Sequence, residues 1–492
     1  MSPPVISLAP PPSRQLPANV STHPIRPARP ESSFSPEVRR WLGLAVGSLL
    51  LAGLLSLSVV LGRLPGLSRL IDDPLFFKRC LVVHVDLALV VWFYAFTAAL
   101  MALRSPRSTG RIESAAWGIA VVGVIALLAG ALVKNAAPVL ANYLPVLDHP
   151  LFLGGLALFF AGVLGFTLRS LGSSHGRPSG GLPADASVGI QACGIALVLA
   201  ATTWISARVA LPAGLDRHTF FEFSHWGAGH VLQLANVSAM LAVWLWLLAR
   251  ATGHRVLSPW AARGLFSLLL LPHFVMPLLS WQGALHRTYI EGATALMRWG
   301  LFPVVVFMFV LGLRHLRLHP ARRSDPLARA ALAGFAASAS LTLLGFVLGA
   351  LIRGSTTLVP AHYHASLGGV TAAFMAAAHL LIEAFGREPG RFRPGESHGR
   401  AVRWQLACFG VGQAVFALGF GLAGIYGLGR KAYAGEQHVR TFGEYAGLSV
   451  MGLGGLMAAA AGIWFLVLVL RPLCTRRHSL HLSENPSLPA LS

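Results

Sequence analysis

The stretch VPAHYHASLGG, Val359–Gly369, decides the reading of this chain. It opens an apolar run that continues to about Ile382, long enough to cross a bilayer as a helix. Successive helical residues turn by about 100°, so positions i and i+2 point roughly 200° apart. The imidazoles of His362 and His364 therefore leave opposite faces of one helix, and each needs its own partner. Neutral imidazole is a common ligand of heme iron, so one helix with a histidine on each face could stand between two hemes. Taken alone, the pair could equally be hydrogen-bonded histidines lining an interhelical cavity.

Working outward, composition fixes the solvent. Of 492 residues, 55% are hydrophobic and only 12% charged, and the mean hydropathy is +0.64; these values lie far from those of a soluble domain. The formal charge of +21 does not mark a nucleic-acid binder, because the arginines lie in short loops between apolar runs instead of forming a basic face. Cys80, Cys193, Cys408 and Cys474 are scattered without a CxxC, which signals neither a disulfide framework nor a zinc or iron-sulfur site.

Residues 1–38 are rich in Pro and Ser, have no apolar core and carry no cleavable signal pattern; they are expected to be a disordered cytoplasmic arm. Residues 39–472 form the membrane domain and 473–492 a cytoplasmic tail. Twelve segments have spanning length: about 41–62, 80–103, 115–133, 150–168, 187–210, 222–249, 263–285, 293–313, 328–352, 360–384, 402–426 and 445–470. The arm, the even-numbered loops and the tail hold most of the Lys and Arg residues, so both termini are expected in the cytoplasm by the positive-inside rule.

Polar residues inside the spans are costly in lipid and so are functional candidates. The second span carries His84 and Asp86 in LVVHVDLALVVWF. The sixth carries His225 and His230 in the Gly-rich HWGAGHVLQL, where another group could approach the backbone closely. The seventh ends on GALHRTYIEG with His286 and Arg287. With the topology above, these groups and the tenth-span pair share one layer in the outer half of the membrane. By depth alone Asp86 and Glu383 are candidates for proton traffic, whereas His225, His273 and His379 read as ordinary polar positions and His218 as a loop residue.

This set resembles subunit I of the heme-copper oxidase superfamily, the respiratory oxygen reductases and their nitric oxide reductase relatives, over nearly the whole chain. The resemblance implies an all-α bundle of twelve transmembrane helices. It implies a low-spin heme clamped by His84 and His364, and a high-spin heme on His362. Gly229-His230 matches the family's Gly-His, a ligand of a copper or non-heme iron. GLGRKAYAG matches the turn whose cations meet heme propionates, which points to Arg430 and Lys431 as charge-assisted contacts. Where the family has His-His followed by x-Phe/Tyr-x-x-Gly, this chain reads HRTYIEG: His286 takes the first place and Arg287 the second, with Tyr289 and Glu291 as neighbours. Guanidinium stays protonated and cannot coordinate a metal. Leu234 stands where many oxygen reductases have a tyrosine, and Arg298 rather than a lysine lies in the eighth span.

Two hemes, with copper or non-heme iron in doubt, would carry electrons to O2 or NO. The expected donor is a separate subunit, cytochrome c or quinol, because no CxxCH or cupredoxin segment is present. The expected setting is lipid, in a bacterial inner membrane, with no nucleic acid. A catalytically reduced relative that carries electrons or binds gas without turnover is a second reading; a transporter with histidine-lined helices is a third.

Overall fold

The computed structural model describes residues 36–61, 73, 75–104, 110–172, 181–385, 395–430 and 439–474. Twelve helices in it are long and apolar enough to span a membrane: α1 (Pro36–Leu61), α2 (Phe76–Ala102), α3 (Arg111–Ala131), α4 (Pro150–Gly172), α5 (Ala184–Ala210), α6 (Arg217–Thr252), α7 (Pro259–Gln282), α8 (Arg287–Leu318), α9 (Pro326–Ala350), α10 (Leu358–Phe385), α11 (Glu396–Ile425) and α12 (Phe442–Cys474). The fold class expected from composition, an all-α membrane bundle, is the one observed. Most of the N-terminal arm, nearly all of the C-terminal tail, and Lys431 lie outside the described residues.

Helix ends follow local chemistry. Asp216 caps α6 by accepting the Thr219 N–H, Ser258 caps α7 ahead of Pro259, and Asp325 caps α9 ahead of Pro326. Gly253, with φ of 81°, ends α6 in the left-handed region that suits glycine. Between α3 and α4 a two-stranded hairpin pairs β1 (Ala137–Val139) with β2 (Val146–Asp148) antiparallel. Fully buried Arg79 reaches the start of this connection. Its Nε donates to the Ala131 carbonyl at 3.0 Å and its Nη1 to that of Lys134 at 3.2 Å, so it satisfies carbonyls that the end of α3 leaves open.

The two most enclosed spans are α6 and α10, so the bundle is built around them. A buried polar stitch joins them through α9. The Trp244 indole donates to Ser338 Oγ at 2.7 Å, and Ser338 donates to the Gly369 carbonyl at 2.7 Å. In hydrocarbon such bonds act as glue between helices that hydrophobicity alone would not orient. Lipid-facing helices leave large apolar side chains outside instead, among them Trp260, Trp281 and Trp299.

At the end of α6 the Arg250 guanidinium forks onto both oxygens of Glu383 on α10, at 3.0 and 3.1 Å, and reaches Asp325 at 2.7 Å. Burial pushes the Asp325 carboxyl up, but Arg250 and the cap N–H groups of Leu327 and Ala328 outweigh it, and the net position is below the usual 3.8. A carboxyl lowered by folding contributes stability that is present above its unfolded pKa and lost as pH falls through the folded one. The thermal midpoint of the detergent-solubilised protein is therefore expected to drop on acidification below about pH 4, and Asp325→Asn should blunt that drop. An equally steep drop in the variant would remove Asp325 from the account.

Candidate functional site

His84 lies at the point where α2 changes pitch: residues 76–85 are α-helical, Asp86–Val91 form a wider π-helical turn, and Trp92 onward is α-helical again. Such a turn inside a transmembrane helix often marks a functional position. His84 Nδ1 is 2.7 Å from the Ala52 carbonyl of α1. A carbonyl only accepts, so Nδ1 carries the proton and Nε2 keeps its lone pair. His364 on α10 sits close enough to His84 for the two imidazoles to interact electrostatically. Its ring is flanked by Phe416 in an edge-on contact at 4.7 Å and by Phe420 at 5.9 Å, both on α11.

His362 is fixed the same way on the other face of α10. Its Nδ1 is 2.7 Å from the Gly345 carbonyl of α9, and the ring lies so near Gly349 that an added Cβ there would come within 2.7 Å of Nδ1. Tautomer fixation by a carbonyl is what a metal-binding histidine needs from its surroundings. His84, His362 and His364 are all half-buried, although they lie deep among the central helices. Asp86, two residues from His84, is fully buried with neither carboxyl oxygen partnered.

His230 has a different environment. Its Nδ1 donates to the Trp226 carbonyl at 2.7 Å, so Nε2 is the acceptor for the Tyr143 hydroxyl at 2.8 Å. Tyr143 comes from the loop between β1 and β2, and its ring packs on His230 at 4.5 Å and on Trp226 at 5.4 Å. Glycine at 229 makes this possible, since a Cβ there would stand 2.5 Å from the Tyr143 ring. Glu222, about two turns earlier on α6, holds the neighbouring Asn142 by accepting its main-chain N–H at 2.8 Å and its amide. Tyr289 opens α6 one turn before His230. Its hydroxyl accepts the Gly227 N–H at 2.7 Å and donates to the Phe223 carbonyl at 3.0 Å, spanning the i to i−4 bond those groups would otherwise share.

The remaining sequence candidates fall elsewhere. α8 starts at Arg287, some six residues before the expected 293, so His286 becomes its N-cap, with Nδ1 2.8 Å from the Thr288 hydroxyl. His286 is exposed. Arg287 is exposed too and pairs with Glu291 at 2.7 Å across one turn. The histidine near His230 is instead His273, fully buried on a short 3₁₀ turn of α7, with Nδ1 3.0 Å from the Leu269 carbonyl and no partner for Nε2. His225 is buried and bonded to the Phe221 carbonyl at 2.8 Å. Among the described residues no three His, Cys, Asp or Glu side chains are grouped to hold a metal ion. Arg430 lies beside the start of α10: its Nε meets Ser355 Oγ at 2.9 Å, and the neighbouring Gly429 bridges to Thr356.

Sequence reasoning missed Tyr143, Asn142 and His273. Only the last had a local signal, its position between Pro272 and Pro277, where the helix cannot keep its ordinary hydrogen bonds.

The family model for "Cytochrome C and Quinol oxidase polypeptide I" matches residues 38–461. The chain belongs to that family, within the heme-copper oxidase subunit I superfamily. An uncharacterized protein of Aquifex aeolicus is 30% identical over 351 residues, covering 70% of this chain and 84% of its own. An uncharacterized protein of Rickettsia prowazekii is 22% identical over 495 residues, covering 86% and 93%. A heme-copper terminal oxidase dimer solved by cryo-electron microscopy matches with a TM-score of 0.66 at 16% identity, over 90% of this chain and 85% of that one; it shares the fold. As a family member the chain is a heme-copper oxidase-like integral membrane oxidoreductase.

Proposed function

We propose that this family member binds two hemes, moves electrons from the first to the second, and delivers them to O2 or NO at the second. The observation that carries the reading is that His84 on α2, held in one tautomer by Ala52, and His364 on α10 lie within electrostatic reach of each other. These residues would hold a heme between them: the two imidazoles come from different helices, and Phe416 and Phe420 cover the His364 ring. His362 fits a second heme, because Gly345 anchors its Nδ1 and its partner face is opposite to that of His364. When bound, heme iron supplies a one-electron couple and, where one axial position is open, a site for a diatomic gas. The protein's own contribution is to orient the imidazoles, bury them, and present Arg430 and Lys431 to propionate carboxylates.

A copper or iron at His230 does not fit this donor set. The Nε2 lone pair of His230 is committed to Tyr143, His286 caps a helix end, and Arg287 is ion-paired at the surface. No step is assigned to a second metal. That observation favours a second reading, electron carriage or gas binding without turnover. Metal analysis combined with an oxygen and nitric oxide consumption assay separates the two. Two heme irons per chain with gas consumption supports reduction. Two heme irons without consumption supports the reduced role, and a protein without iron refutes both. Electrons arrive from a separate subunit, cytochrome c or quinol. The setting is a bacterial inner membrane with both termini in the cytoplasm, as the distribution of Lys and Arg indicates.

A further inference from the structure

A second polar centre lies at the other end of α10, away from the heme candidates. His379 is fifteen residues beyond His364, about 22 Å along the helix, and six residues, about 9 Å, before the helix ends at Phe385. It is 4% exposed. Its Nε2 meets Gln405 Oε1 of α11 at 3.4 Å, and Gln405 is itself anchored on the Ala461 carbonyl of α12 at 3.2 Å. Amide and imidazole are therefore oriented by one another. Nδ1 has no partner, which is a costly arrangement for a buried nitrogen and one that calls for an explanation.

A narrow cavity supplies one. It is walled by α9, α10 and α11, and its only polar lining residues are His379 and Glu383, with Ala330, Ala376 and Leu406 among the apolar ones. It has room for about one water molecule. His379 and Glu383 are four residues apart and so share a face of α10. Glu383 is the carboxylate that Arg250 grips with two bonds, and Arg250 in turn holds Asp325, whose side chain is 31% exposed. The ion-pair network thus runs from solvent at the α6 and α9 ends to the cavity. Other charged or titratable groups nearby are His398 of α11, whose ring is 6.0 Å from that of His379, Arg39 of α1, over Phe385 at 4.8 Å, and Arg329 in the first turn of α9. From α12 the His379 ring meets the apolar Phe465 at 5.5 Å.

We propose that His379 is a proton-accepting station inside the membrane, loaded through a water in the Glu383 cavity from the end of the bundle that carries Arg250 and Asp325. The neutral imidazole donates its Nε2 proton to Gln405 Oε1, and Nδ1 accepts a proton from the cavity water as that water takes one from hydronium at the solvent end, so the water is regenerated and one positive charge is left on the imidazole. Glu383 supplies the countercharge one turn away, shared with Arg250. The geometry involves no heme ligand and stands apart from the heme reading, which would only provide a use for protons brought inward.

The test uses the full chain in lipid nanodiscs with ¹⁵N-labelled histidine. Solid-state NMR follows Nδ1 of His379, assigned by the resonance lost in His379→Gln, between pH 5 and 9. The expected result is a change from unprotonated to protonated Nδ1 within that range, with Glu383→Gln lowering proton affinity at least tenfold. A resonance that stays neutral over the whole range overturns the proposal, as does a midpoint indifferent to Glu383→Gln. Should His379→Gln fail to fold, the Glu383→Gln spectrum identifies the resonance by its shift. Pigment content and visible spectrum should be unchanged in both variants, so failure here is distinguishable from failure of the heme reading.

Discussion

His84→Ala and His364→Ala should each remove one heme from the purified protein, roughly half of its pigment, and with it the spectrum of a six-coordinate low-spin iron. The size of the effect follows from axial ligation: each histidine supplies one of two bonds, and a heme held from one side by nitrogen loses its low-spin character. His84 should be the more sensitive to its surroundings, because Ala52 holds its Nδ1 at 2.7 Å across a helix boundary. His362→Ala should do something different. It should leave the low-spin signature intact and remove the component that responds to carbon monoxide. If all three variants retain wild-type pigment and spectra, no heme is bound where α2 and α10 meet.

Gly454→Val and Gly419→Val should prevent α11 and α12 from docking, with loss of most folded protein. A Cβ at Gly454 would run into the main-chain nitrogen of Phe416, and one at Gly419 into that of Met451. Backbone cannot move aside as a flexible side chain can, so overpacking at either site is expected to cost 3 kcal/mol or more, beyond the usual ~1–3 kcal/mol for core insertions. Small residues let transmembrane helices approach closely enough for dispersion forces to hold them. The consequence reaches the site, because Phe416 and Phe420 on α11 flank His364. Any Gly454→Val protein that survives purification should show a perturbed low-spin spectrum. Wild-type yield and spectrum would show that these contacts do not set the position of α11.

The twelve spans were legible because lipid demands one composition over a fixed length, and each expected segment overlaps an observed helix within a few residues at most ends. The largest departures are the starts of α8 and α11, each six residues early; in α8 the segment RTYIEGATA is too polar on average to register as membrane. That shift matters, since it turns His286 into a cap and sends Arg287 to the surface. His84, His362 and His364 stood out because histidine is rare on an apolar helix, and His84 and His364 lie within electrostatic reach of each other. The surroundings of His230 were not legible. Tyr143 reaches it only because a hairpin folds back over α6 and Glu222 grips Asn142, contacts some eighty residues apart in the chain that no local pattern encodes. The Gly-rich run around His230 did announce a close approach, without naming the group that approaches.

The most direct measurement is the visible spectrum of the purified, dithionite-reduced protein before and after carbon monoxide. Two imidazoles on opposite faces of α10 predict two populations: one Soret component unmoved by the gas, from iron with both axial positions filled, and one displaced, from iron with a position free. A protein with no Soret band, or with a single component that shifts entirely, would contradict the account.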